Sequence, residues 1–152
     1  MNDFVKSVPP LPRGIAIVSI AIIIIGAVFP WGHTMDFSVK GFEGDGILTI
    51  GIGLVALAVI FVKRKPNAVT FVLGMAALMI GTIDFYGMTN ANDGLNLTVA
   101  NSSVAEMVKI SIGTGLYLTI FGALGLVAGC ILAYWQSRKN PSTQKVAEKV
   151  KA

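Results

Sequence analysis

The sequence predicts an all-α membrane protein, a bundle of four transmembrane helices, and three observations support this fold class. Hydrophobic residues make up 54% of the chain and charged residues only 13%, whereas about a quarter of the residues of a soluble domain are charged. Four long segments contain no charged residue, and each could cross a hydrocarbon core of about 30 Å as a helix. The basic residues collect in alternate connections between these segments. The chain of 152 residues leaves room for one domain.

The uncharged segments define the predicted organisation of the chain. They cover residues 14–30, 46–62, 67–83 and 110–135. Together they form one transmembrane domain at 14–135, preceded by a segment at 1–13 and followed by a basic tail at 136–152. The first span could instead be a cleaved signal peptide, but its apolar run is too long and no small-residue cleavage site follows it. We therefore expect it to remain as a helix.

Lysine and arginine residues predict which side of the membrane each connection faces. Ten of them lie in the amino-terminal segment, in the connection between spans two and three, and in the tail: Lys6, Arg13, Lys63, Arg64, Lys65, Arg138, Lys139, Lys145, Lys149 and Lys151. The other two connections contain Lys40 and Lys109. Because cytoplasmic connections are enriched in basic residues, we expect a multi-pass protein of the plasma (inner) membrane with both termini cytoplasmic. The same charges predict contact with anionic lipid at the cytoplasmic face rather than with nucleic acid.

Aromatic residues near the ends of spans indicate where the lipid interface lies, because tryptophan and tyrosine are enriched there. Trp31 follows the outer end of span one, and Tyr134 and Trp135 lie at the inner end of span four. We predict that all three anchor the bundle at the interface.

The two outer loops contain weak strand signals. Residues 37–40 alternate between apolar and polar side chains, and so do residues 95–100, which follow a turn signal at Asn92-Asp93-Gly94. We expect these two segments to form a short antiparallel β pair that caps the outer end of the bundle. Asp45 directly precedes span two, where its side chain suits the N-cap of the helix.

Small residues predict which helices pack closely, because membrane helices associate through close contact of their backbones. Span four carries Gly115, Gly122 and Gly129 at every seventh position, together with Gly125, and span three carries Gly74, Ala77 and Gly81. We expect spans two, three and four to be the tightly packed set, and the isoleucine-rich stretch 20–25 of span one to face lipid or a partner. The simpler alternative is ordinary packing of all four helices within one chain.

Polar residues that could form a site are few and lie outside the spans. His33 is a lone histidine, and neither a metal site nor a cofactor is predicted, although four carboxylates are candidates for a hard cation: Asp36, Glu43, Asp45 and Asp84. Asp84 is the most unusual of these, because an ionisable group at the membrane interface is costly and tends to be paired or functional. Its structural alternative is a bond to Lys40, Lys109 or Trp31.

No catalytic motif is present, so an enzyme is not expected. The predicted function is that of a small accessory or structural subunit, which packs beside other integral membrane proteins or beside copies of itself. The alternative is a homo-oligomeric channel or small-solute transporter with Asp84 at its mouth. A lipid-binding protein of the cell envelope is a third possibility.

Three short motifs carry a family resemblance: Phe29-Pro30-Trp31, Gly44-Asp45-Gly46, and the opening of the last span at residues 112–118. With these motifs the chain resembles small four-span membrane proteins that are common in actinobacteria and mostly of unassigned function. The resemblance implies a bacterial plasma membrane and no known activity. The layout is also similar to claudin-like tetraspans, but by analogy of topology alone, since the paired loop cysteines of that group are missing.

Overall fold

A computed structural model describes residues 10–34, 37–98 and 109–139, apart from the side chains of residues 10 and 93–98. Within these residues the helices are α1 (Pro10–Val28), α2 (Gly46–Lys63), α3 (Ala68–Thr98) and α4 (Thr114–Lys139). The strands are β1 (Pro30–His33), β2 (Ser38–Lys40) and β3 (Ser111–Ile112), and one 3-10 turn covers Gly41–Glu43. All four helices are long and apolar enough to cross a membrane, which confirms the prediction of four long apolar helices.

Consecutive helices run antiparallel and close into a ring. α1 packs against α2 and α4, α3 also packs against α2 and α4, and helices across the diagonal make few contacts. The ring encloses eight completely buried apolar residues: Ala16, Ile20, Ile23, Ala56, Ile60, Ala77, Ala123 and Leu126. Because all four helices contribute to this core, they pack together within one chain, which is the simpler of the two arrangements expected.

α1 and α4 form the most extensive helix contact of the bundle. The prediction that residues 20–25 of span one face lipid or a partner is therefore wrong for Ile20 and Ile23, which have no exposed surface, whereas Ile25 is 50% exposed. The reason lies in the glycines of α4. A Cβ atom added to Gly122 would lie 2.9 Å from the backbone nitrogen of Ile23, and one added to Gly115 would lie 2.5 Å from the carbonyl oxygen of Gly26. The glycine row of α4 thus accommodates the backbone of α1.

The other small residues singled out from the sequence divide between two contacts. Gly125 and Gly129 lie against α1, like their neighbours on the same row. On α3, Ala77 is buried in the core, and Cβ atoms added to Gly74 and Gly81 would first meet side-chain carbons of α4, at 3.3 and 2.9 Å. The contact between α3 and α4 is therefore one of glycine against side chain, whereas that between α1 and α4 brings two backbones together.

The three strands form an antiparallel sheet in the order β2-β1-β3, at the end of the bundle where α1 ends and α4 begins; we call this the sheet end. An antiparallel cap is as predicted, but its strand pairing is not. β2 pairs with β1, in the register Gly32 to Val39 and His33 to Ser38. The predicted partner at 95–98 is instead helical, because α3 continues without a turn at Asn92-Asp93-Gly94; residues 99–100 lie outside the described part of the chain.

The ends of the helices follow different capping rules. The side-chain Oδ1 of Asn67 accepts a hydrogen bond of 3.0 Å from the backbone N–H of Thr70 and so caps α3. α2 ends at Lys63, and Arg64 takes the left-handed conformation (φ 57°) that closes the helix. Asp45 occupies the N-cap position of α2 but makes no side-chain capping bond. Its predicted capping bond is absent, although its charge still lies at the positive end of the helix dipole.

Candidate functional site

Trp31 lies at the centre of the sheet end. It is 3% exposed, packs with Ala27 and Leu116 in a second apolar cluster, and donates a hydrogen bond of 3.0 Å from its indole Nε1 to the carbonyl oxygen of Gly26. The prediction that Trp31 anchors the bundle in the lipid interface is therefore wrong. The indole turns inward because the carbonyl of Gly26 offers its N–H a buried partner, which a buried tryptophan requires.

Two glycines let the chain fold back over this tryptophan. A Cβ atom on Gly41 would overlap the indole nitrogen of Trp31, and one on Gly46 would overlap the backbone of Gly41. The backbone N–H of Gly41 also donates a hydrogen bond of 3.2 Å to the carbonyl of Phe29. The 3-10 turn and the start of α2 are thus held against the end of α1.

Asn92 connects α3 to the sheet. Its side-chain Nδ2 donates to the carbonyl oxygen of Ile110 at 2.7 Å, and its Oδ1 accepts from the backbone N–H of the same residue at 2.8 Å. The amide therefore pairs with the backbone as a neighbouring strand would. Sequence reasoning placed Asn92 in a turn and missed this role, because a bond between residues 18 positions apart leaves no local pattern.

Asp84 has an incompletely paired carboxylate. Its Oδ2 is buried and has no hydrogen-bond partner within the described residues, although the residue as a whole is only half-buried. Of its expected partners, Trp31 donates elsewhere, and the described part of the chain shows no bond to Lys40 or Lys109. A buried carboxylate oxygen without a donor is costly, so a donor or a cation supplied from outside the described residues would be favourable here.

The other polar candidates that the structure describes do not converge with Asp84 into a metal site. His33 is exposed at the end of β1, Asp45 is exposed before α2, and the exposed Glu43 accepts a hydrogen bond of 3.1 Å from the backbone N–H of Lys40. Asp36 lies outside the described residues. Within residues 10–34, 37–98 and 109–139, no group of three or more His, Cys, Asp or Glu side chains could hold a metal ion.

The opposite end of the bundle, which we call the basic end, carries the other two predicted interface anchors. Tyr134 and Trp135 lie near the end of α4 and are 54% and 63% exposed. The guanidinium of Arg138 lies over the ring of Tyr134, 5.0 Å from its centre. These two aromatics, unlike Trp31, are available to surrounding lipid.

Comparisons of the chain with protein-family models, with curated proteins and with solved structures found no match. The resemblance to small actinobacterial four-span proteins therefore still depends on the three short sequence motifs. What the structure supports is a tetraspan architecture, and any function has to be argued from its surfaces.

Proposed function

We propose that this chain is a non-enzymatic tetraspan subunit that packs beside other integral membrane proteins, or beside itself, in a larger membrane complex. The observation that carries the proposal is the uneven burial of the helices. In the spans of α1 and α4, 39% of the residues are buried inside the bundle, against 28% in α2 and 22% in α3. α2 and α3 therefore offer the larger outward surface.

That outward surface is built from bulky apolar side chains. Those more than half exposed on α2 and α3 include Ile47, Leu48, Leu54, Val55, Phe61, Val62, Val69, Val72, Met79 and Ile83. In a membrane such a surface contacts lipid or another helix, and helices associate there by van der Waals packing. Methionine adapts its shape to irregular partners, so Met75 and Met79 suit α3 to a protein contact.

The distribution of charge supports a plasma-membrane orientation with both termini in the cytoplasm. Six of the eight described cations lie at the basic end, namely Arg13, Lys63, Arg64, Lys65, Arg138 and Lys139, whereas Lys40 and Lys109 lie at the sheet end. The described acids Glu43, Asp45 and Asp84 lie toward the sheet end. Since basic connections stay on the cytoplasmic side, we place the basic end inside the cell. A membrane-impermeant lysine reagent on intact cells should leave Lys63 and Lys65 unmodified; their modification would contradict this orientation.

Photo-crosslinking tests the accessory role. A photoreactive amino acid at Val72 or Met79 on α3 should form adducts with a protein in the native membrane. The same amino acid at Phe121, which is exposed on α4, serves as the matched control and should give mainly lipid adducts. Mass spectrometry of the adducts would identify the partner. Lipid adducts alone at all three positions would contradict the proposal.

The carboxylate of Asp84, whose buried Oδ2 has no partner within the described part of the chain, favours a second candidate, a homo-oligomeric channel or small-solute transporter. The apolar core fills the centre of each bundle, so a water path would have to lie between copies, with Asp84 near its mouth. Ion flux in liposomes that is abolished by Asp84→Asn would support this candidate. An inert monomer that co-purifies with foreign subunits would support the accessory role instead.

A further inference from the structure

The end of α4 forms an apolar groove bordered by positive charge. Four residues of its last turns line it: Tyr134, Trp135, Arg138 and Lys139. Its volume is about 340 Å³. The two aromatic residues come first along the helix, and both cations follow toward the point where the helix ends.

The position of one cation is fixed by the groove itself. Arg138 follows Tyr134 by four residues, so both lie on one face of α4, and the guanidinium lies over the tyrosine ring, 5.0 Å from its centre. The contact holds the guanidinium beside the groove, and a guanidinium carries five N–H donors. An acceptor at the lip of the groove would therefore meet donors that are already oriented.

The charged residues around the groove indicate which kind of hydrogen-bond acceptor it suits. The described acids Glu43, Asp45 and Asp84 all belong to the sheet end, so within the described residues no carboxylate lies at the basic end. An apolar groove next to cations that have no carboxylate partner within the described residues is complementary to a molecule with an apolar chain and an anionic head. Arginine is especially suited to phosphate, because its planar fork can donate two parallel hydrogen bonds.

We propose that this groove binds one anionic phospholipid. An acyl chain lies along Tyr134 and Trp135, and the phosphate accepts hydrogen bonds from Arg138 and Lys139. The depth is suitable, because the apolar run of α4 ends at Trp135 and the cations follow at the level expected for lipid headgroups. This site does not depend on the accessory role, since a channel or an isolated bundle would have it too.

Trp135 reports directly on occupancy of the groove. The full-length protein in mild detergent would be titrated with brominated phosphatidylglycerol or brominated phosphatidylcholine, and tryptophan fluorescence would be followed. The Trp135→Phe variant gives the contribution of the buried Trp31, which is subtracted. We expect saturable quenching of Trp135 by phosphatidylglycerol, at a lipid concentration about tenfold lower than phosphatidylcholine requires. A factor of about ten in affinity corresponds to roughly one charge-assisted hydrogen bond.

Two double variants, each of which removes two positive charges, distinguish a specific lipid site from general attraction between the basic end and anionic lipid. Arg138→Gln with Lys139→Gln should remove the tenfold preference, whereas Lys63→Gln with Lys65→Gln, at the same end of the bundle, should keep it. Equal quenching by both lipids, or equal losses in the two variants, would overturn the proposal. Displacement of the lipid by millimolar glycerol phosphate would also overturn it, because it would show a phosphate site that has no need of the apolar groove. Quenching by phosphatidylglycerol that does not saturate would likewise overturn it, because it would show that the groove is not a discrete lipid site.

Discussion

The contact of α4 with α1 and its contact with α3 use glycine in different ways. Toward α1, added Cβ atoms at Gly115 and Gly122 would lie 2.5 to 3.0 Å from backbone atoms, which cannot move aside. Toward α3, it is the glycines of α3 that face α4, and their nearest neighbours are side-chain carbons of Leu126 and Ile120. Glycine in a membrane helix can therefore allow either of two contacts. Where it faces a backbone, no larger residue fits, whereas where it faces a side chain, that side chain can shift to make room.

The largest expected effect comes from a graded series of alanine substitutions. Gly115→Ala should lower the free energy of unfolding by about 3 kcal/mol, because two backbone carbonyls block the new methyl group. Gly74→Ala should cost about 1 kcal/mol, since the facing Leu126 side chain can shift. Steric trapping in detergent would measure the free energy of unfolding of both variants. Gly51→Ala is the control, because nothing lies within 4 Å of its added Cβ atom; equal losses at all three positions would refute the distinction.

The two tryptophans provide the next comparison. Trp31→Phe removes the hydrogen bond to Gly26 and leaves a small void at the sheet end, so we expect a loss of about 2 kcal/mol. Trp135→Phe changes an exposed residue and should alter stability by less than about 0.5 kcal/mol. Thermal unfolding of the two variants in the same detergent would show the difference. Equal stability of both would mean that the indole of Trp31 is not buried.

Local hydrogen exchange examines the link between α3 and the sheet. Asn92→Ala removes both hydrogen bonds to Ile110, which should cost about 1 to 2 kcal/mol and increase amide exchange at residues 110–113. Asn90→Ala changes an exposed asparagine on the same helix and should leave this exchange unchanged. Exchange that stays slow in Asn92→Ala would show that other contacts hold β3.

The smallest expected effects have opposite signs at two neighbouring acids. Asp84→Asn removes the charge from a half-buried carboxylate whose buried Oδ2 has no partner within the described residues, and it should raise the free energy of unfolding by up to about 1 kcal/mol. Asp45→Asn removes a favourable charge from the start of α2 and should lower it by about 0.5 kcal/mol. Chemical unfolding at neutral pH would resolve the signs. A clear loss of stability in Asp84→Asn would mean that Asp84 has a partner beyond the described residues.

The number of helices could be predicted from sequence because the requirement for an uncharged span is local. Which helices touch could not. The row of Gly115, Gly122 and Gly129 indicates a close contact, yet glycine has no side chain that could specify its partner. On α1, the single Gly26 lies among isoleucines and did not indicate that this helix is the partner. The isoleucine-rich face of α1 suits lipid and core equally, because both are apolar.

The site residues were harder to predict than the spans. Trp31 has the same sequence context as an interfacial anchor, and only the carbonyl of Gly26 explains why it turns inward. The strand signal at 95–98 was overridden because α3 continues as a helix of 31 residues, about 46 Å long at 1.5 Å per residue. The pairing of Asn92 with Ile110 depends on that extension, so the sequence pattern alone could not reveal it.

The most direct test of the central claim, that α1 pairs with α4, is a disulfide between them. A Cβ atom at Gly125 would lie 3.5 Å from that of Ser19, within the range that a disulfide requires. In a Cys130→Ser background, Ser19→Cys with Gly125→Cys should cross-link within one chain on mild oxidation in intact membranes. No cross-link, or a cross-link only between two chains, would contradict the pairing.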